Sequence, residues 1–170
     1  TQAPTQGQSL LMLLDGLQPT GVTTMVLDQN NLLAALGAAA SINHVLPIQI
    51  IESGSFKNLG MVISLTGQTQ FGAPALRLRM KYESGEENVV EVKYGSLEMI
   101  ALAQGKSANV YLQPLNRFDV GLGPGRGGGV KVTGGALGLI VDARGRPLRL
   151  PNDPGRRKDL LKKWLWVLGG

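Results

Sequence analysis

Cysteine is absent from this chain of 170 residues, and His44 is its single histidine. The lack of cysteine excludes disulfides, thiolate nucleophiles and cysteine-ligated zinc. One histidine also argues against a Ser-His-Asp hydrolase and against a zinc site built from several histidines. No pair of carboxylates and no nucleophile beside a base stands out along the chain. We therefore predict that the chain is not an enzyme and that it holds no cofactor or metal.

Aromatic residues and long apolar runs are also scarce. Aromatic side chains make up 5% of the sequence, and no run approaches the roughly 18 apolar residues that a membrane-spanning helix requires. The net charge of +5 is too diffuse, and the aromatic residues are too few, to indicate a nucleic-acid-binding surface. With 43% hydrophobic and 17% charged residues, the composition is typical of a globular domain. We expect a cytoplasmic protein that has no membrane span and does not bind nucleic acid.

The charge is unevenly distributed along the chain. Residues 1–45 contain no Lys or Arg and only two acids, whereas residues 46–170 carry 17 basic and 10 acidic residues, a net charge of +7. Such a change predicts two regions with a boundary near residue 45. The first residue is Thr1 rather than Met, and no basic segment with a following apolar core marks a signal peptide, so we expect a piece of a longer polypeptide.

Residues 1–45 are predicted to form a short α/β segment. Ser9 is placed to cap a helix over residues 10–17, a β-branched run over 22–27 predicts a strand, and a second helix is expected over 31–41. One strand and two helices do not build a stable core alone, so this segment must pack on something else. Its exposed leucine stripes and its lack of Lys and Arg predict self-association.

Residues 46–152 are predicted to form a Gly-rich antiparallel β-domain, which makes the whole fold α+β and mainly β. About eight short strands separated by Gly and Pro favour a closed or half-closed barrel or a sandwich. In the clearest strand, 75–82, apolar residues alternate with Arg77, Arg79 and Lys81, which we expect to pair with acids of the returning strand. Strands are predicted at 47–52, 60–65, 75–82, 88–94, 97–102, 109–113, 117–120, 130–133 and 137–141.

Residues 153–170 are predicted to form a basic amphipathic helix. Asp153 is the expected N-cap and Pro154 the first helical residue. The favoured interpretation is a helix packed on the β-domain with its cations in solvent, and the alternative is a helix that lies on an anionic membrane or in a partner's groove. Trp164 lies on the apolar stripe of this helix and Trp166 lies off it. Both tryptophans are candidate partner contacts.

Two further segments carry candidate site residues. The loop 121–129 fits the pattern GxGxxG, but a strand rather than a helix is predicted after it, so we interpret it as a hairpin loop that offers Gly123 and Gly125 as candidate partner contacts. The segment 142–148 has the composition of a turn. A separate hypothesis is an anion-binding cluster of the arginines in and beside these segments, namely Arg126, Arg144, Arg146 and Arg149.

The sequence also resembles a known family. Residues 14–28 followed by 31–40 resemble the last strand and the Gly/Ala-rich last helix of an actin-like ATPase domain. Four later runs are similar to the C-terminal part of the glutamate mutase L family, in the longer form found in some bacteria: 49–56, 117–128, 134–148 (GGALGLIVDARGRPL) and 163–166 (KWLW).

The resemblance implies a function as well as a fold. The family is thought to accompany adenosylcobalamin-dependent mutases as ATP-driven reactivating chaperones, so residues 1–45 would be the tail of an ATPase lobe. This piece would be a non-catalytic interaction domain that does not hydrolyse ATP and docks on a mutase or on a second copy of itself. The Gly-rich loop and the C-terminal helix are the expected contacts. The alternative function is a stand-alone β-barrel that binds a small anionic ligand through Arg126, Arg144 and Arg146.

Overall fold

Eight strands form two four-stranded sheets in residues 3–169, the part of the chain that the computed structural model describes. The helices are α1 (Gln6–Leu17), α2 (Leu32–Ala40), α3 (Val45–Glu52) and α4 (Pro154–Val167). The strands are β1 (Gly21–Leu27), β2 (Lys57–Ser64), β3 (Pro74–Tyr82), β4 (Glu87–Lys93), β5 (Leu97–Ile100), β6 (Ser107–Pro114), β7 (Gly128–Thr133) and β8 (Leu139–Asp142). The predicted α+β, mainly β class with a C-terminal helix is confirmed.

The two sheets form a sandwich. The first sheet has the order β1-β2-β8-β5 and the second the order β4-β3-β6-β7. Across residues 3–169 the sheets do not close into a barrel, so only the sandwich alternative holds. The prediction of a purely antiparallel domain was wrong for one pair, because β2 and β8 run parallel. A parallel pair needs a long connection, and the chain between β2 and β8 supplies it by forming the whole second sheet and β5.

The first sheet is buried on both faces. One face packs against the second sheet through residues such as Ile63 and Val141. The other face packs against α1 and α4, where Val62 and Ile140 meet Leu10 and other helix residues. Such strands are expected to be continuously apolar, and all four residues of β8 are indeed buried. The molecule therefore has three layers: the outer layer of α1 and α4, the first sheet and the second sheet. The first core lies between the two sheets, and the second core lies between the first sheet and the outer layer.

The second sheet is buried on one face only. In the β3–β4 hairpin, Arg77 Nη2 lies 3.2 Å from Glu91 Oε2, and Lys81 Nζ lies 3.9 Å from Glu87 Oε1. The predicted pairing across the hairpin is therefore correct for these two cations, whereas Arg79 faces Val89. Both ion pairs are exposed, and such pairs contribute about 1 kcal/mol or less each to stability.

The change of charge at residue 45 is not a structural boundary. Strand β1 pairs with β2 along its length, and α1 shares the second core with α4, so residues on both sides of position 45 build the same sheet and the same core. Helix α1 also begins earlier than expected, because Thr5 rather than Ser9 accepts the capping hydrogen bond, from the Gln8 N–H. Helix α4 packs on its own domain and begins at Asp153 and Pro154 as predicted.

Two predicted strands were wrong. Residues 47–52 belong to α3, where the Asn43 side chain accepts a hydrogen bond from the Val45 N–H and Pro47 lies in the first turn, a position that tolerates proline. A short apolar run does not distinguish a strand from a helix by its periodicity. Residues 117–120 form a turn instead of a strand, since Asn116 and Arg117 both adopt positive φ.

The loop before β8 approaches β2 so closely that glycine is required. A Cβ on Gly135 would lie 2.5 Å from the Gly60 Cα, whereas a Cβ on Gly129 in β7 would meet nothing within 4 Å. We expect Gly135→Ala to lower the free energy of unfolding by about 1–3 kcal/mol, because backbone atoms have to move apart. Urea denaturation measures the loss. Gly129→Ala is the matched control, and an equal effect of both substitutions would contradict this contact.

Candidate functional site

A buried network of charged side chains occupies the end of β8. The Asp142 carboxylate accepts hydrogen bonds from Arg144 Nε and Nη2, both at 2.9 Å, and from Arg146 Nη2 at 2.5 Å. Arg144 Nη1 also donates to Asp15 Oδ1 of α1 at 2.7 Å. The Asp142, Arg144 and Arg146 side chains are almost fully buried. The buried carboxylate of Asp142 and the partly exposed carboxylate of Asp15 therefore balance two buried guanidinium groups.

The same network joins several elements. The Arg144 guanidinium lies over the Trp164 ring of α4, 4.7 Å from its centroid, in a cation–π contact. The Trp164 indole N–H donates to the Gly95 carbonyl at 3.1 Å. Arg146 Nε donates to the Pro19 carbonyl, in the turn between α1 and β1, at 3.2 Å. The network thus connects β8 to both helices of the outer layer and to the start of β1.

The charges in this network hold each other ionised. Burial raises the pKa of Asp142, but the hydrogen bonds and positive charges of Arg144 and Arg146 outweigh that effect and leave the pKa below its ordinary value. Burial likewise lowers the pKa of Arg144, and its contacts with Asp142 and Asp15 more than compensate, so that the pKa is raised. Asp142 and Arg144 therefore stay charged near neutral pH.

The hypothesis of an anion-binding arginine cluster needs correction. Arg144 and Arg146 are buried and already paired with carboxylates of the protein itself, so an external anion would have to displace Asp142 or Asp15. Arg126 and Arg149 are exposed. Arg149 lines a cavity of about 300 Å³ together with Arg144 and Trp164, whereas Arg126 lies apart from it in the loop 121–129. The four arginines therefore do not form one anion site.

The Gly-rich loop is occupied by a carboxylate of the protein. Asp119 Oδ1 accepts hydrogen bonds from the Gly121 N–H at 2.7 Å and the Gly123 N–H at 2.9 Å. An anion bound to these amides would have to displace Asp119. An aspartate two residues before a glycine is a known turn signal, so the sequence contained this information. Gly123 and Gly125 as partner contacts stay a prediction.

The two tryptophans of α4 differ in their exposure. Trp164 is 2% exposed within the second core, so it does not reach a partner, and the prediction that it is a partner contact was wrong. Its place on the apolar stripe of the helix already favoured burial. Trp166 is 81% exposed and stays a candidate contact.

An apolar surface that the sequence interpretation missed lies on α2 and α3. These helices pack on each other as a hairpin and make no extensive contact with the sheets. Leu36 is the one buried residue of α2, and α3 has none. Five large side chains of the pair expose more than half of their surface, and we call this set the hairpin surface: Leu33, Ile42, Val45, Ile48 and Ile51.

The hairpin surface carries no charge. Residues 29–51 contain no Asp, Glu, Lys or Arg. The nearest acid, Asp28, accepts hydrogen bonds from the Leu32 and Leu33 N–H groups, each at 2.9 Å, and the bond from Leu33 is the main reason why its pKa is lowered. A groove of about 350 Å³ lies at the base of the hairpin, lined by Val26, Asp28, Leu33, Ile51, Phe56 and Asn58. Exposed apolar surface of this kind is typical of an interaction site.

Neither a metal site nor a membrane span is found in the described part of the chain. Among residues 3–169, no group of three or more His, Asp or Glu residues is placed to hold a metal ion. No helix in that range has the length and hydrophobicity needed to cross a membrane.

The buried network predicts a large cost for one substitution. Asp142→Asn leaves Arg144 and Arg146 without their shared counter-charge, so we expect the free energy of unfolding to fall by about 3–5 kcal/mol. Glu91→Gln breaks an exposed ion pair and is expected to cost about 1 kcal/mol or less. Urea denaturation at neutral pH compares the two variants. A loss for Asp142→Asn no larger than that for Glu91→Gln would contradict the network's role.

The lowered pKa of Asp142 predicts a pH dependence of stability. Because the pKa is lower in the folded chain than its ordinary value of 3.8, ionised Asp142 stabilises the fold above that pH. The contribution is lost as the pH falls below 3.8 and through the folded-state pKa. We expect Asp142→Asn to show a shallower loss of stability in this acid range, measured by urea denaturation in steps of pH. An unchanged slope would be inconsistent with the lowered pKa.

Comparison with protein-family models, with curated proteins and with solved structures found no match for this chain. The resemblance to the glutamate mutase L family therefore stays a prediction. The feature on which we base a functional proposal is the exposed, uncharged hairpin surface.

Proposed function

We propose that this chain is a non-catalytic protein-interaction domain whose partner docks on the hairpin surface. The observation that carries the proposal is the exposure of five large aliphatic side chains on one charge-free helical pair. Fully burying one such side chain contributes about 1.5–3 kcal/mol, so covering the set favours association with a partner. The partner's matching surface has to be apolar and nearly free of charge, because a charge buried there would find no counter-charge.

The position of the hairpin in the fold supports this role. Strands β1 and β2 precede and follow the two helices, and they pair from Gly21–Ser64 to Leu27–Lys57, directly at the base of the hairpin. Both ends of the segment are thereby anchored in the first sheet. Binding residues often lie on connecting segments that a rigid scaffold holds in position.

The resemblance to the glutamate mutase L family supplies a partner class. We propose that the domain belongs to a chaperone-like ATPase that accompanies an adenosylcobalamin-dependent mutase, and that it docks on the mutase or on a second copy of itself. On this proposal the protein works in the cytoplasm, while this piece binds no cofactor and hydrolyses no ATP. The alternative of a barrel that binds an anionic ligand loses its support, since Arg144 and Arg146 are paired within the protein.

The C-terminal helix is a second expected contact, and its role needs a different test from deletion. Removing residues 154–170 would take Trp164 and Leu168 out of the second core and unfold the outer layer. Trp166→Ala changes only an exposed side chain and tests the solvent-facing side of the helix.

A matched pair of substitutions tests the hairpin surface. Val45 is 56% exposed on the hairpin, and Val89 is 58% exposed on β4. Aspartate is compatible with the first turn of α3, so Val45→Asp preserves the helix. We expect it to weaken binding to a purified adenosylcobalamin-dependent carbon-skeleton mutase by about tenfold or more, which corresponds to about 1.4 kcal/mol. Biolayer interferometry measures the affinity.

Val89→Asp is the control and should leave the affinity unchanged. Thermal unfolding of both variants in dilute solution should match that of the parent chain, since neither side chain is part of a core. Equal binding by the parent chain and Val45→Asp would contradict the proposal that the mutase docks on the hairpin surface.

A further inference from the structure

The distribution of charge indicates which occupant suits the hairpin surface. Residues 46–170 carry a net charge of +7, so two copies that meet through most other faces would bring like charges together. Residues 29–51 carry no Asp, Glu, Lys or Arg, so two copies can meet there without repulsion. A two-fold interface requires a surface that is complementary to itself, and an uncharged apolar face meets that requirement.

The same distribution disfavours a lipid surface. Helices that lie on membranes usually carry Lys and Arg on their polar side, which attract anionic headgroups. The hairpin carries none, and the charges next to it in the sequence are the acids Asp28 and Glu52. The cations of α4 lie on a different element, in the outer layer with α1.

The hairpin also combines a protruding side chain with a groove. Ile42, in the turn between α2 and α3, is 90% exposed at the tip. The groove of about 350 Å³ lies at the opposite end, where Leu33 and Ile51 line it. When two hairpins are related by a two-fold axis and run antiparallel, the tip of each copy meets the base of the other. Each Ile42 then enters the groove of the partner copy.

The small residues of α2 allow close approach of a second helix. Exposed small residues lie along this helix, and a Cβ on Gly37 would meet nothing within 4 Å, which leaves room for a neighbour. Helices pack with their axes about 8–10 Å apart, with the shorter distances reached where the contacting side chains are small. The exposed small residues are Ala34, Ala35, Gly37 and Ala38.

We infer that the hairpin surface binds the hairpin surface of a second copy of this chain, in a two-fold dimer in which Ile42 of each copy enters the groove beside Leu33 of the other. This inference rests on the proposed interaction function and names the occupant of the same surface.

Sedimentation velocity over micromolar concentrations tests the dimer. We expect the chain of 170 residues to sediment as a dimer, and Ile42→Asp to raise the dissociation constant at least tenfold. Val89→Asp, an equally simple change outside the hairpin, should leave the dimer intact. Both side chains are exposed in the single chain, so thermal unfolding in the dilute monomer should be unchanged. A parent chain that stays monomeric, or an Ile42→Asp variant that still forms the dimer, would overturn the inference.

The absence of cysteine allows a direct test of the tip-to-base arrangement. Chains with Ile42→Cys and with Leu33→Cys, one of them carrying a mass tag, are mixed and oxidised. We expect a disulfide-linked heterodimer from this mixture and much less product from Ile42→Cys mixed with Val89→Cys. Equal yields from the two mixtures would contradict the arrangement.

Failure of this inference can be told apart from failure of the proposed function. If the chain is monomeric and Val45→Asp still weakens its binding to the mutase, the proposed function stands and the dimer is overturned. If the chain dimerises through the hairpin but Val45→Asp leaves its binding to the mutase unchanged, the dimer stands and the docking of the mutase on that surface is overturned. A monomeric chain that floats with vesicles of anionic phospholipid would overturn the dimer in favour of a lipid surface.

Discussion

The layered structure depends on the carboxylate of Asp142. This carboxylate binds Arg144 and Arg146, and these two guanidinium groups extend the contact to Asp15 of α1, to the Trp164 ring of α4 and to the Pro19 carbonyl before β1. Removing one partner from such a buried group leaves a charge without compensation. The orientation of both outer helices relative to the first sheet is therefore tied to one side chain at the end of β8.

The buried network changes the meaning of the arginine-rich turn. Taken alone, the segment from Asp142 to Arg146 has the composition of either a turn or an anion site. In the folded chain the positive charges face inward and are neutralised by Asp142 and Asp15. The loop 121–129 behaves similarly, since Asp119 occupies its backbone amides. In both places an internal carboxylate takes the position that a ligand would need.

The hairpin of α2 and α3 differs from the interior, where the charged groups are paired with each other. Its backbone polar groups are hydrogen-bonded locally, for example by the Asp28 carboxylate at the start of α2, whereas five of its large apolar side chains expose more than half of their surface. Because β1 and β2 hold both ends, the pair is presented at a fixed place on the first sheet. The first sheet thus fixes the position of the hairpin surface, which stays exposed.

Local features of the fold could be predicted from the sequence because they depend on neighbouring residues. Alternation over 75–82, the capping by Asp153 and the β-branched run before Asp28 each specify an element directly, and those elements form as expected. The helix α3 could not be distinguished from a strand, since an apolar run of eight residues lacks a decisive period. The parallel pairing of β2 with β8 depends on residues far apart in the chain, so no local sequence pattern predicts it.

The sequence by itself determined the chemical inventory: no thiol, one histidine, an uncharged stretch over 29–51 and a cluster of arginines after β8. Only the tertiary structure decided which of these groups face the solvent. Arg144 and Arg146 are buried because Asp15, far away in sequence, and Asp142 lie within hydrogen-bonding distance once α1 packs on the first sheet. The apolar residues of α2 and α3 stay exposed because the two helices pack on each other and make no extensive contact with the sheets. Burial is a property of the whole packing arrangement, and composition alone therefore could not assign it.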